Sequence, residues 1–302
     1  MTPQVLVDGV VAGATIGLGA IGVTLTYSIL RFANFAHGEF MSWGAYAALV
    51  AGGALATIAG GAGSALGPFS FGWTMLVALP LAMLFTGALA LSLDWLLFRR
   101  LRRHGEAIVA IMASFGASLA LRSLLEAIFT SRPAYYSRML QIAKPLGAGL
   151  KATPNQLALI GATLLLVFAV HLLLTRTPIG RAMRAVSERP DLAEVTGVDV
   201  SRVIRFTWLL GGALAGAAGV ALGLLVQIRP FMGFDMLLPL FAAAILGGIG
   251  SVPGAVLGGL IVGLSEAAAV SLAGAQWRGA VAFVVIIAVL LVRPSGLFGK
   301  PA

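Results

Sequence analysis

The sequence contains no cysteine, which excludes disulfides, thiolate chemistry and cysteine metal sites. Charge is also scarce. Asp, Glu, Lys and Arg make up 10% of 302 residues, against roughly 25% in an ordinary soluble domain, too little polar surface to face water. No G-x-x-x-x-G-K-[ST] loop occurs, and the nearest fragment, GLFGKPA at the C-terminal end, lacks the spacing and the hydroxyl residue with which such a loop cradles phosphates. The chain is therefore not expected to hydrolyse ATP. There is no H-E-x-x-H pair and no G-x-S-x-G elbow, and the three histidines, His37, His104 and His171, lie far apart. Without a clustered acid, base or metal constellation, a membrane-embedded enzyme is disfavoured; no catalytic residue, metal ligand or bound cofactor is expected.

What is present is apolar: 59% of the residues are hydrophobic, gathered in separated blocks. Blocks of about 20 residues match a helix crossing a hydrocarbon layer roughly 30 Å thick. A membrane barrel would instead show alternating segments of about 10 residues. Runs such as Leu157 to Leu174 are apolar on every face. Candidate spans lie near 5–30, 40–60, 73–97, 107–128, 155–175, 203–227, 236–250, 254–273 and 279–292, the seventh and ninth short. Glycine, at 39 residues, is close to twice the usual ~7%, and much of it lies inside these blocks, where small residues let helix backbones approach closely. The expected fold class is all-α: one transmembrane bundle over residues 1–302, of about 8–9 spans with broken or re-entrant elements. Asp8 is the first charge and no basic stretch precedes the first apolar run, so a cleaved signal is not expected.

The formal charge of +9 does not point to nucleic acid, because most basic residues sit in short loops between spans. Placing the residue-31 end in the cytoplasm puts 13 of the 20 Lys and Arg inside, leaves six outside and keeps Arg122 within a span. An odd number of spans then sends the N-terminus out and the C-terminus in. The segment 236–254 is the weak point of that count, since an apolar stretch broken by GGIGSVPG could be re-entrant.

Two loops are long. The outer one, about 130–153, holds Pro133, Tyr135, Tyr136, Arg138 and Lys144, and suits either a soluble partner or plain connection. The inner one, about 176–202, is far more polar than its surroundings. Pro178 and Pro190 are suited to start helices, and Asp191 near the second start suits the helix dipole, so two short helices along the membrane face are expected.

Three segments together resemble the high-affinity branched-chain amino acid permease family of ABC importers: LRFANFAHGEFMSWGAY at 30–46, GRAMRAVSERPDLAEVTGV at 180–198 and AAILGGIGSVPGAVLGGLIVGLSEA at 243–267. The resemblance runs through nearly the whole chain. It implies a pore half in the bacterial inner membrane, paired with a second homologous permease and driven by two cytoplasmic ATPases that bind the ATP and Mg. A periplasmic binding protein would deliver substrate. It also implies that the inner loop is a coupling helix seated in an ATPase cleft, which places Gly180, Arg181, Arg184, Glu188, Asp191, Glu194 and Gly197 at that contact. Gly197 would let the chain turn after the helix.

Other residues are candidates for a substrate route. Asn34, His37, Gly38 and Glu39 interrupt two apolar spans, where unwound backbone is tolerable only within protein or along a water-filled cavity. An interfacial turn, with Asn34 capping the following helix, is the alternative. Gly247, Gly248 and Gly250 offer a similar break in the second half, with Pro253 able to open the next helix. The two breaks hint at a weak internal repeat of the kind that marks midplane sites in transporters. Glu266 is mid-span and is expected to face the bundle interior with a partner, as a packed group or a pathway group. Arg122 and Glu126, spaced i, i+4, permit an ion pair on one helix face, or leave Arg122 to snorkel or to meet a substrate carboxylate.

The expected function is inward, ATP-driven passage of branched-chain or related amino acids by alternating access; urea, short amides and aromatic acids are alternative cargoes. A stand-alone channel or ion-coupled carrier is the alternative of a different class, for which the loop 176–202 would have no obvious purpose.

Overall fold

The computed structural model describes residues 3–58, 66–102, 107–137, 139, 141–147, 149–293 and 295–299. Arg103, His104, Arg138 and Lys300 lie outside them. The fold is an all-helical bundle, its helices labelled in chain order. First come α1 Gln4–Leu30, α2 His37–Ile58 and α3 Trp73–Leu93. A π-helical turn, Asp94–Phe98, and the short α4 Arg99–Leu101 prolong α3; α5 Ala107–Phe129 follows. A small hairpin of β1 Lys144–Gly147 and β2 Leu150–Ala152 precedes α6 Pro154–Arg176. Two short helices, α7 Pro178–Glu188 and α8 Pro190–Val195, lead to α9 Val200–Leu225, α10 Met232–Gly247 and α11 Val252–Ala273. The chain closes with a 3₁₀ turn, Ala275–Trp277, and α12 Arg278–Val292.

Eight of these segments are long and apolar enough to cross a membrane, with α3 to α4 and the 3₁₀ turn with α12 each taken as one. The ninth expected span, near 236–250, is α10. It has 16 residues, about 24 Å of helix, short of a hydrocarbon layer of roughly 30 Å. It nonetheless keeps the alternation of the chain. The start of α1 is tied to the hairpin by reciprocal Gln4–Lys151 hydrogen bonds of 2.9 and 3.1 Å. Its far end is tied to α7, where Arg31 donates to the Ser187 carbonyl at 2.5 Å. The bundle therefore has a hairpin end and an α7–α8 end. The segment after α12 returns to the α7–α8 end, where the Leu297 and Phe298 amides donate to the carbonyls of Leu246 and Gly247 at 2.8 and 3.1 Å. Gln4 and Phe298 thus lie at opposite ends of the bundle.

Glycine allows the close packing. A Cβ on Gly259 or Gly263 of α11 would collide with the backbone of Gly17 or Gly13 of α1, and one on Gly44 of α2 with Gly216 of α9. Approach at this distance substitutes many dispersion contacts for the hydrophobic force that is absent between lipid-solvated helices.

Candidate functional site

Two stretches of non-helical backbone enter the bundle from opposite ends and stop at one level. From the α7–α8 end, residues 31–36 run inward after the left-handed Arg31 (φ 61°) closes α1. Asn34 Oδ1 accepts from the Ala36 amide at 3.1 Å, an Asx turn ahead of the helix rather than the cap expected of it, and α2 then begins at His37. His37 Nε2 lies 3.3 Å from the carbonyl of Gly19, near the middle of the 27-residue α1. So α2 starts deep in the bundle rather than at its surface. From the hairpin end, residues 226–231 run inward after α9, pinned by a two-way backbone bridge between Ile228 and Ala134, and α10 begins at Met232.

The two helix starts meet. The backbones of Gly38 and Gly233 touch so closely that a Cβ on either would overlap the carbonyl of the other. Ser42 Oγ stitches them, donating to the Pro230 carbonyl at 3.0 Å and accepting from the Gly233 amide at 3.0 Å. Each start carries a carboxylate in its first turn, Glu39 in α2 and Asp235 in α10, where the positive end of the helix dipole favours it.

Glu39 is fully buried and its partner comes from α5: Arg122 donates to Glu39 Oε1 from Nε at 3.2 Å and from Nη2 at 2.8 Å. Ser118 Oγ donates to the same oxygen at 3.1 Å. The guanidinium also packs on the Phe231 and Phe234 rings, 4.5 and 4.2 Å from their centroids. This one side chain thus joins α2, α5 and the start of α10. Arg122 pairs with Glu39 and not with Glu126, contrary to the i, i+4 expectation, and at 7% exposure it does not snorkel. Arg122 Nε and Nη2 converge on one oxygen of a carboxylate brought by another helix, a charge-assisted contact in a buried site.

The GGIGSVPG break lies elsewhere. Gly247, Gly248 and Gly250 sit at the α7–α8 end, where the Gly250 amide donates to Thr24 Oγ1 at 2.6 Å, and Gly248 and Gly250 adopt φ of 93° and 90°. Ser251 caps α11 by accepting from the Gly254 amide at 3.1 Å, with Pro253 in the first turn. The counterpart of the first break is therefore 226–231, not 247–253, which corrects the expected pairing of the two halves.

Because α10 starts halfway down, a cleft of about 870 Å³ opens from the hairpin end where its upper half would otherwise stand. It descends along α1 from Gln4 to Ile16 and reaches Met232 and Met236. Glu266 of α11 lines it, 2% exposed, with Oε2 accepting from Arg278 Nε at 2.8 Å. The expectation of an inward-facing, partnered carboxylate holds, and the partner is at the start of α12.

At the other end, α7 and α8 follow their proline-led starts, with Thr177 Oγ1 accepting from the Gly180 amide at 3.2 Å. Gly180 is not on the free face: it is buried against α6, where a Cβ would run into the Leu173 and Leu174 carbonyls. Met183 and Val186 face the bundle. Arg181, Arg184, Glu188, Asp191 and Glu194 are exposed, as are the apolar Leu192 and Val195 at 58% and 86%. Gly197 (φ 87°) ends α8 with hydrogen bonds from its own amide to Glu194 and from Val198 to Ala193, a glycine C-cap.

A family model described as the branched-chain amino acid transport system / permease component matches residues 5–290. The chain belongs to that family. It is 34% identical over 303 residues to the high-affinity branched-chain amino acid transport system permease protein BraD of Pseudomonas aeruginosa, covering 99% of this chain and 96% of that protein. It is 32% identical over 304 residues to the permease protein LivH of Escherichia coli K12, covering 99% and 96%. A probable LivH of Methanocaldococcus jannaschii is 29% identical, covering 98% and 92%. These relatives are permease components, so the chain is a multi-pass membrane permease of an ABC transport family.

Within this permease, the structure brings together Asn34, His37, Gly38, Glu39 and Arg122 around the paired helix starts. It sets Glu266 in the separate cleft and Gly247, Gly248 and Gly250 in the α7–α8 end. Four residues escaped the sequence: Gly233 and Ser42, which join the two starts, and the exposed Leu192 and Val195. The stretch VQIRPFMG, with Gln227, Arg229, Pro230 and Gly233 between two apolar runs, has the same polar-then-glycine character as NFAHGEF and was the available signal.

Proposed function

We infer that this permease is the pore-forming half of an ATP-driven importer that carries branched-chain or related amino acids inward, working with a second homologous permease, two cytoplasmic ATPases and a periplasmic binding protein. The observation that carries the reading is the α7–α8 element of a family member: two short polar helices with a packed inner face and a free outer face, anchored to α1 by Arg31. The loop faces the cytoplasm, which places the N-terminus outside and the C-terminus inside, in keeping with the clustering of basic residues at that end. Arg181, Arg184, Glu188, Asp191, Glu194 and Gly197 form the ATPase contact, and Leu192 and Val195 are its apolar knob, since apolar side chains exposed on a polar cytoplasmic element gain most by insertion into a partner's cleft. Gly180 acts by holding α7 against α6. No covalent chemistry is required of this chain; ATP binding in the neighbouring subunits moves the loop and opens the bundle to each side in turn.

The test is purification of the tagged chain from its native membrane in mild detergent with identification of what accompanies it. Two P-loop ATPases and a second glycine-rich permease are expected, and Leu192→Ser with Val195→Ser should release the ATPases while leaving the chain inserted. Recovery of this chain alone, under conditions that preserve other such complexes, would favour a self-sufficient channel or carrier.

A further inference from the structure

The cleft at the hairpin end carries charge of both signs. Asp8, Asp235 and Glu266 supply three carboxylates, Arg229 and Arg278 two guanidiniums. The pairing among them is incomplete in a particular way. Arg278 spends only Nε on Glu266, its side chain is 47% exposed, and it lines the cleft, which leaves its two terminal nitrogens available to a ligand there. Glu266 Oε1 is buried with no hydrogen-bond partner among the described residues. Arg229 and Asp235 form an ion pair of 2.9 Å through one nitrogen and one oxygen, with the side chains 51% and 45% exposed. Exposed pairs of this kind contribute little, so a ligand that offers better geometry displaces them at little cost.

Below these charges the lining turns apolar: Val11, Ile16, Met232 and Met236 close the inner end, just above the Gly38–Gly233 contact. A volume of about 870 Å³ lies within the roughly 300–1,000 Å³ of small-molecule sites. A ligand that satisfies the whole lining has a carboxylate, an ammonium close to it and an apolar side chain.

We propose that this cleft is a binding site for the zwitterionic head and apolar side chain of an α-amino acid, with the Arg278 fork receiving the carboxylate, Asp235 the ammonium, and the Val11, Ile16, Met232 and Met236 floor the side chain. Arg229 positions Asp235, and Glu266 holds Arg278 by its Nε, which leaves the two terminal nitrogens for the ligand. The assignment rests on the importer reading and adds to it a place on this chain where cargo pauses after delivery at the hairpin end. Binding there is weak, because Asp235 must loosen its exposed pair with Arg229 to meet the ligand. That suits passage rather than storage.

The absence of cysteine supplies the test. Ala12→Cys on α1 and Ser271→Cys on α11 place single thiols in the cleft lining on two different helices. In the complete importer in proteoliposomes, each is labelled with a cationic methanethiosulfonate, read from the mass of this chain, with and without L-leucine. At leucine concentrations about four times Kd, mass action lowers the labelling rate about fivefold. Leucinamide, which lacks the carboxylate, and 4-methylpentanoate, which lacks the ammonium, should protect far less, and Arg278→Gln or Asp235→Asn should abolish protection by leucine. If Arg278→Gln does not assemble, Arg278→Lys keeps a charge beside Glu266 but offers no fork, and carries the same expectation. Unchanged labelling at both thiols in an importer that still takes up leucine in parallel would overturn the site and leave the importer reading standing. Equal protection by all three compounds, or protection that survives loss of the Arg278 fork, would overturn the charge assignment. Failure of the unaltered complex to take up leucine would instead overturn the reading on which the site depends.

Discussion

The two helix starts at the centre of this permease share a local design and differ in everything around it. Each follows a non-helical run inward from one end of the bundle, each has glycine as its second residue, and each carries a carboxylate in the first turn. Around Glu39 the space is closed: the residue is fully buried, and its cation is brought by another helix and covered by two phenylalanine rings. Around Asp235 the space is open, and its cation comes from the same segment, six residues away. The first is therefore a lock between elements and the second a wall of a cleft. Equal sequence features acquire opposite roles according to what the neighbouring helices leave beside them.

The sharpest way to break the comparison is to remove one charge from the closed side. Glu39→Leu strands the Arg122 guanidinium in a dry interior, and losing one member of a buried pair costs about 3–5 kcal/mol. Unfolding of the purified chain by SDS titration in mixed micelles should show that loss. The double variant Glu39→Leu with Arg122→Leu should recover most of it, since apolar replacement of both members of a buried pair is often near neutral. A double variant no more stable than Glu39→Leu alone would mean that the ion pair is more than a lock.

The contact that both starts share comes next. Gly233→Ala pushes a methyl group into the Gly38 carbonyl, backbone against backbone, with no flexible side chain to yield. Overpacking of this kind costs about 1–3 kcal/mol or more. Gly53→Ala, in the same α2 but with open space around it, should instead be neutral or stabilising by up to about 1 kcal/mol through helix propensity. Equal effects of the two substitutions in the same titration would remove the case for a special approach at the centre.

The contrast also explains what the sequence made legible. Long apolar runs announce helices because, short of a closed barrel, a membrane leaves no other way to satisfy backbone groups, and Pro178, Pro190 and Asp191 announce α7 and α8 because helix starts have local chemistry. The break at 31–36 was visible since Asn34, His37 and Glu39 are polar among apolar neighbours. The break at 226–231 is harder to recognise as its counterpart, because the glycines at 247–250 make a more conspicuous signal for a turn that lies at the α7–α8 end. Glycine alone does not distinguish a turn from a close approach. The Glu39–Arg122 pair joins residues 83 apart, and no local pattern encodes such a distance; the i, i+4 spacing offered Glu126 instead. The sequence does not single out Leu192 and Val195, because an apolar residue in a polar loop reads as packed until its exposure is known.

Smaller effects refine the comparison. Tyr136, in the loop that covers the second segment, donates its hydroxyl to the Ala45 carbonyl of α2 at 2.8 Å, and burial pushes that hydroxyl above the ordinary tyrosine range, so it remains a donor at any working pH. Tyr136→Phe removes one hydrogen bond at a cost of about 0.5–1.5 kcal/mol. The same SDS titration reads it, and a wild-type midpoint would show that the loop does not help to hold the open side in place.

The smallest stability change belongs to the open side itself. Asp235→Asn keeps the shape of the side chain and removes a charge whose partner, Arg229, stays half exposed to solvent, so the pair is worth about 0–1 kcal/mol and its loss should barely move the unfolding midpoint. The helix dipole adds a few tenths of a kcal/mol at most to that loss at such an exposed position. Glu39→Gln, the matching change on the closed side, leaves Arg122 facing a neutral amide in a buried site and should lower the midpoint by several times as much. The two isosteric substitutions differ only in their surroundings, so the ratio of their effects measures how far burial, rather than position in the first helical turn, decides the role of each carboxylate. A destabilised Asp235→Asn equal to Glu39→Gln would place both starts in the same closed environment and remove the distinction between lock and cleft wall.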